Sequence, residues 1–274
     1  MLNRLFAISL FTLMLAACSP NNIREDSSLE KYFTENKVTG TFGIFDNGKG
    51  EFTIYNVTRF SDSAYLPAST FKIVNSLIGL EIRQVKDSAS VIEWDSISRG
   101  RPECDRDLSM NDAFRLSCPP WYQQLARRIG KDTMQQWLDT LGYGASGRSY
   151  AIAANLDTFW LHNSAKVTAD EQMGLVKRLY FDQLPFTKRS QQIVREMMLW
   201  ESNANYQLSY KTGWGTTENG NQLGWIIGWI EENKHPYFFV LQLESPDRNI
   251  DMKAIRIKML KDMLKQMGFM EGKK

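Results

Sequence analysis

An α/β (α+β) fold, with an antiparallel sheet flanked by terminal helices and a mostly helical subdomain over about 66–165, follows from three features of the sequence. Short β-branched and aromatic runs open and close the chain, apolar residues at helical spacing fill its middle, and the last segment is amphipathic. Phe42 to Phe45 and Phe52 to Tyr55 flank Asp46-Asn47-Gly48-Lys49-Gly50, whose Asn-Gly step favours the positive φ of a hairpin turn. From Pro67 the period changes. Phe71, Val74, Leu77 and Ile78 form one stripe, Leu125 and Ile129 precede Gly130, and Met134, Trp137, Leu138 and Leu141 precede Gly142. Further helices are expected over Asp170 to Phe181 and Ser190 to Trp200. Strands are expected at Tyr206 to Trp214, Gly224 to Glu231 and Tyr237 to Glu244. Met252, Ile255, Met259, Leu260, Met263, Leu264 and Met267 then recur on one helical face, which must pack on something large, most simply those strands.

Composition bounds the function. The 274 residues carry 33 Lys or Arg against 31 Asp or Glu, a net charge of +2 without long like-charged blocks, so no nucleic-acid partner is expected. Two His and three Cys, in neither C-x-x-C nor H-x-x-x-H spacing, give no metal framework. The stretch Gly43-x-x-x-x-Gly48-Lys49 approaches a phosphate loop, but Gly50 stands where a magnesium-binding Ser or Thr is needed and no helix pattern follows.

Residues 1–17 read as an export signal: Arg4 precedes an apolar run from Leu5 to Leu15 that is shorter than the ~20 residues of a membrane span. Leu15-Ala16-Ala17-Cys18 resembles the lipobox of bacterial lipoproteins, where cleavage leaves a lipid on the thiol of Cys18. The alternative is an ordinary secretory signal that contains a Cys. The mature chain is therefore expected either as a lipoprotein on the periplasmic face of a bacterial membrane, touching lipid only through its N-terminus, or free in the periplasm. Residues 18–28 are polar and read as a flexible tether, with order beginning near Leu29 and one domain over 29–274. In an oxidising compartment Cys104 and Cys118 form an even pair, for which a bridge and two separate thiols both remain open.

The chemistry concentrates in two motifs. Ser69-Thr70-Phe71-Lys72 opens a predicted helix, and a spacing of three sets the hydroxyl and the amine one turn apart on one face. Burial among apolar groups would let Lys72 lose its proton and accept that of Ser69. Lys211-Thr212-Gly213 lies on a predicted strand, where an extended amide can pair along the edge and the Lys and Thr can face a carboxylate.

Together these motifs resemble the penicillin-recognising serine enzymes. Within that group Pro67-Ala68-Ser69-Thr70-Phe71-Lys72-Ile73, Tyr143-Gly144, Phe159-Trp160-Leu161, Tyr210-Lys211-Thr212-Gly213 and Gly224-Trp225-x-x-Gly228-Trp229 look like the class D (oxacillinase-type) β-lactamases. The resemblance runs from about Phe42 to Leu264. It implies hydrolysis of β-lactam antibiotics, and hence resistance, through acylation of Ser69. It further implies that Lys72 carries a carbamate, formed from carbon dioxide or bicarbonate, that serves as general base for acylation and deacylation, with no other cofactor. Trp160 would donate to that carbamate, with Leu161 as its shield. Ser117 would shuttle a proton to the leaving nitrogen, Lys211, Thr212 and Arg256 would bind the substrate carboxylate, Gly213 completes the strand motif, and the Trp214 N–H would join the oxyanion site.

The chain departs from the family pattern twice. Pro119 follows Ser117-Cys118 where the family has Val, and Ala145 follows Tyr143-Gly144 where the family has Asn. A class A deacylation pattern is not apparent. A non-catalytic β-lactam sensor and a cell-wall peptidase that β-lactams acylate share both core motifs. The sensor needs a spanning segment and an output domain, and the wall enzymes usually lack the Phe-Trp-Leu element. A homodimer is compatible with the sequence.

Overall fold

The computed structural model describes residues 22–144, 152 and 155–274. The expected signal over 1–17, Cys18 and Ala145 lie outside them. The strands are β1 (Ile23–Glu25), β2 (Thr39–Asp46), β3 (Glu51–Tyr55), β4 (Val91–Ile92), β5 (Leu108–Ser109), β6 (Leu199–Ser202), β7 (Gln207–Thr216), β8 (Gln222–Glu232) and β9 (His235–Ser245). The helices are α1 (Glu30–Glu35), α2 (Val57–Asp62), α3 (Lys72–Glu81), α4 (Met110–Arg115), α5 (Pro119–Ile129), α6 (Lys131–Leu141), α7 (Ala169–Tyr180), α8 (Lys188–Met198) and α9 (Met252–Gln266).

One sheet, in the order β1-β3-β2-β9-β8-β7-β6, is the middle of three layers. Strand β8 explains why it is covered twice: Ile226 and Ile230 enter the core on one face, while Trp225, Ile227 and Trp229 enter the core on the other. With both faces apolar, β8 reads as a nearly continuous hydrophobic run, and either face left wet would expose aromatic surface. Helices α1 and α9 cover the first face through Phe33, Met259, Leu260, Met263 and Leu264. Helix α7 and the helical layer of α3 to α6 cover the second, with Leu175, Val176 and Leu179 joining Phe71, Val74 and Leu77 in one core.

Order begins earlier than expected. The tether reading fails for Ile23–Glu25, which pairs in parallel with β3 through the Phe52 N–H to Asn22 O bond and the Asp26 N–H to Ile54 O bond, each 2.8 Å. All three β1 side chains are exposed, so this strand is held by backbone pairing that closes a sheet edge, and no apolar pattern announces it. The sheet is consequently antiparallel except at this edge. Leu199 and Trp200, expected to end a helix, instead begin β6. The turn carrying Ser69 is a 3₁₀ turn over Ala68–Phe71, and the α-helix proper starts at Lys72.

Candidate active site

The 3₁₀ turn matters because residues i and i+3 eclipse in that geometry. Lys72 Nζ consequently lies 2.6 Å from Ser69 Oγ as a hydrogen-bond donor. Lys72 is fully buried and Ser69 half-buried. The turn is anchored from below: Thr70 Oγ1 donates to Pro67 O at 2.7 Å and accepts from Gln172 Nε2 of α7 at 2.7 Å. Ala68, immediately before Ser69, has φ +49, a left-handed backbone that only a strongly determined turn sustains.

Burial, reinforced by the positive charge of Arg101, pulls the Lys72 amine down from its ordinary 10.5 to about 7. Its walls supply that burial. The Phe71 ring stacks on Trp160 at 5.1 Å and meets Phe159 edge-on at 4.9 Å, and the Tyr122 ring lies 5.5 Å from Lys72 Nζ. Trp160 is wholly buried, yet its Nε1–H has no hydrogen-bond partner. Such an orphaned donor is uncommon in a folded interior and points to a group that accepts from it.

Strand β7 forms the opposite wall. Its pairing with β6 ends at Ser209, so beyond that residue its edge faces the cleft instead of another strand. Gly213 is needed for the close approach, since a Cβ there would lie 3.0 Å from Pro67 O and 3.1 Å from Trp225 Cβ. Lys211 is buried, and its Nζ donates to Ser117 Oγ and Thr212 O, both at 3.0 Å. Burial, with Lys72 as the nearest like charge, drives its amine well below the ordinary value. Lys72 Nζ also reaches Ser117 Oγ at 3.5 Å, so this hydroxyl sits between two buried amines.

Arg256 crosses from α9 to donate through Nη1 to Gly213 O, while its buried Nε has no partner. Burial lowers its guanidinium to about 10. Trp214 is 46% exposed at the rim, with its Nε1 donating to Gln222 Oε1 at 2.8 Å. Leu161 lines the same cleft, a cavity of about 450 Å³ shared with Ser69, Ser117, Thr212 and Pro119. Cys104 and Cys118 are joined as a disulfide, one residue from Ser117.

The structure therefore gathers Ser69, Lys72, Ser117, Lys211, Thr212, Trp214 and Arg256 around one cleft, with Trp160 behind it. Sequence reasoning missed Arg101, Glu103, Arg115, Trp200 and Lys253, which also line it. Arg115 stacks on Trp200, and Trp200 on Tyr210, an arrangement made by chain crossings with no local signal. A cavity of about 510 Å³ beside β1 and the C-terminus, lined by Arg24, Asp46, Lys49, Glu51 and Lys274 among others, holds no comparable nucleophile and base.

A half-buried serine hydrogen-bonded by a lysine whose amine is lowered to about 7, beside a basic strand edge, defines a serine acyl-transfer enzyme. The model of the penicillin binding protein transpeptidase domain matches residues 29–265. Beta-lactamase OXA-48 of Klebsiella pneumoniae is 35% identical over 89% of each chain, and the probable beta-lactamase YbxI of Bacillus subtilis is 37% identical over 81% of this chain and 80% of its own. Among solved structures, the class D β-lactamase YbXI from Nostoc superposes with a TM-score of 0.82 at 33% identity, covering 88% of this chain and 99% of its own. The class D β-lactamase from Sebaldella termitidis gives 0.83 at 29% identity, over 90% and 98%. The chain belongs to the class D β-lactamases.

Proposed function

We propose that this enzyme opens the β-lactam ring of penicillin-type antibiotics through an ester on Ser69, and so confers resistance. The observation that carries the reading is the 2.6 Å contact between Ser69 Oγ and a Lys72 amine held near neutrality. Lys72 draws the proton from Ser69, whose Oγ attacks the lactam carbonyl as the carbon–nitrogen bond breaks. The backbone N–H groups of Ser69 and Trp214 stabilise the oxyanion. Ser117, hydrogen-bonded by Lys211 and within reach of Lys72, passes a proton to the departing nitrogen. Lys211, Thr212 and Arg256 receive the substrate carboxylate. Arg256 supports this with a buried, unpartnered Nε in a cleft wall.

A carbamate on Lys72 fits these residues, because it requires an uncharged amine and hydrogen-bond donors for its oxygens, and the orphaned Trp160 Nε1–H supplies one. Trp160 would hold it and Leu161 would cover it, while the carbamate itself would supply a carboxylate base for both attachment and hydrolysis of the ester. We further propose export through residues 1–17, with lipid attachment at Cys18. No helix among the described residues is long and apolar enough to cross a membrane.

Hydrolysis of benzylpenicillin in large molar excess, with bicarbonate present, tests the reading. Many turnovers per molecule are expected. Consumption of a single equivalent with the drug left on Ser69 would favour the sensor or wall-enzyme alternative.

A further inference from the structure

Ser117 occupies an unfavourable backbone position. Helix α4 ends at Arg115; the Ser117 N–H donates to Phe114 O at 3.2 Å and the Cys118 N–H to Ala113 O at 2.9 Å. This pair of bonds is the Schellman termination, whose left-handed residue is ordinarily glycine. Here that residue is Ser117, with φ +58. The conformation costs about 1 kcal/mol or more for a residue with a Cβ and persists only where its surroundings fix it.

The surroundings are a clamp. Arg101 Nη2 donates to Leu116 O at 3.0 Å and Nη1 to Ser117 O at 3.4 Å, satisfying carbonyls that the helix end leaves open. Glu103 Oε1 accepts from Arg101 Nε at 3.0 Å and orients the guanidinium plane. The Arg101 carbonyl in turn accepts from the Cys104 N–H at 2.7 Å, and Cys104 is bonded to Cys118, the residue after Ser117.

We propose that Arg101 is a positioning residue for Ser117: clamped by Glu103 and the Cys104–Cys118 bridge, its guanidinium holds the left-handed turn that brings Ser117 Oγ between Lys72 and Lys211. Ser117 touches the reacting nitrogen in the mechanism above, and Arg101 acts through it, so the inference rests on that assignment of Ser117. The guanidinium also contributes positive charge to the site. The groups facing Lys72 are Arg101 from the 101–105 turn, Lys211 from β7 with Arg256 of α9 behind it, and the neutral Tyr122 ring from α5. Among the described residues, the charges acting on either amine are all positive. Removing the Arg101 charge lets Lys72 hold its proton to higher pH.

The test compares Arg101→Gln and Arg101→Lys with the wild type, reading the pre-steady-state rate of drug attachment to Ser69 by mass spectrometry across pH. Acylation should slow by about tenfold to a hundredfold in both variants, the cost of misplacing a reacting group by about 1 Å. The acid limb of the profile should move to higher pH in Arg101→Gln and stay in place in Arg101→Lys, which keeps the charge but lacks the two-carbonyl fork. A merely structural arginine would lower Tm without moving the limb. Glu103→Gln, which leaves both lysines and Arg101 in place, should show a smaller slowing and serves if the Arg101 variants do not fold. Wild-type acylation rates in the folded variants, or in Glu103→Gln where those do not fold, would overturn the proposal. Because acylation is read by itself, absence of wild-type turnover would count against hydrolysis and leave the Arg101 result standing.

Discussion

Lys72 stands between two walls built by opposite means. On one side Phe71, Phe159 and Trp160 form a dry aromatic stack that leaves the Trp160 Nε1–H without a partner. On the other, Ser117 sits on a left-handed turn fixed by a guanidinium and a disulfide, with a second buried amine at 3.0 Å. The aromatic wall sets the protonation of Lys72 by excluding water, whereas the polar wall sets where a proton can go. Excluding water from a base and routing its proton therefore fall to separate elements, joined at Arg101, whose charge also lowers the Lys72 amine.

Substitutions damage the two walls unequally. Ser69→Ala removes the group both walls serve, and kcat should fall by about 10⁶-fold with no drug mass retained by the protein. Lys72→Met should lower turnover by about 10⁴-fold. It should also change stability: the unfolded lysine binds its proton up to 10.5 and the folded one only to about 7, so this group makes wild-type stability rise with pH between those values. Denaturation across pH 7 to 10.5 should show a shallower rise in the Met variant, and an unchanged slope would mean that Lys72 is not buried neutral.

Trp160→Phe keeps the ring on Phe71 but deletes the donor, so loss should concentrate in release of the acyl group, by about 10²-fold. Equal slowing of attachment and release would place Trp160 in packing alone. The polar wall is addressed by replacing Cys104 and Cys118 with Ser. A bridge spanning 14 positions contributes about 3 kcal/mol, and its loss in a domain of this size should lower Tm by about 6 °C. A Tm within a degree or two of wild type would remove the bridge from the account of rigidity.

The two walls differ as much in how they can be read. Phe71 declares itself by helical spacing beside Ser69 and Lys72, whereas Phe159-Trp160-Leu161, though contiguous, took its meaning from the family resemblance. The central strands were also legible, because β7, β8 and β9 are long and β8 and β9 are nearly continuous apolar runs. Ser117 could be placed only by resemblance, since its role depends on a backbone angle no residue pattern announces. Arg101 and Glu103 lie in a charged stretch where every residue looks solvated, and their meaning comes from a loop folding back on the end of α4. Strand β1 was illegible for a related reason: it contributes backbone pairing and buries no side chain.

The most direct test of this account observes Lys72 itself. The protein is equilibrated with ¹³C-bicarbonate and its bound carbon followed by NMR through a pH titration, in the wild type and in Lys72→Met. One bound carbon per wild-type molecule, lost as pH falls below about 7 and absent from the variant, is the predicted result. No bound carbon at any pH in an enzyme that turns over penicillin at full rate would contradict the claim that Lys72 works as a carbamate.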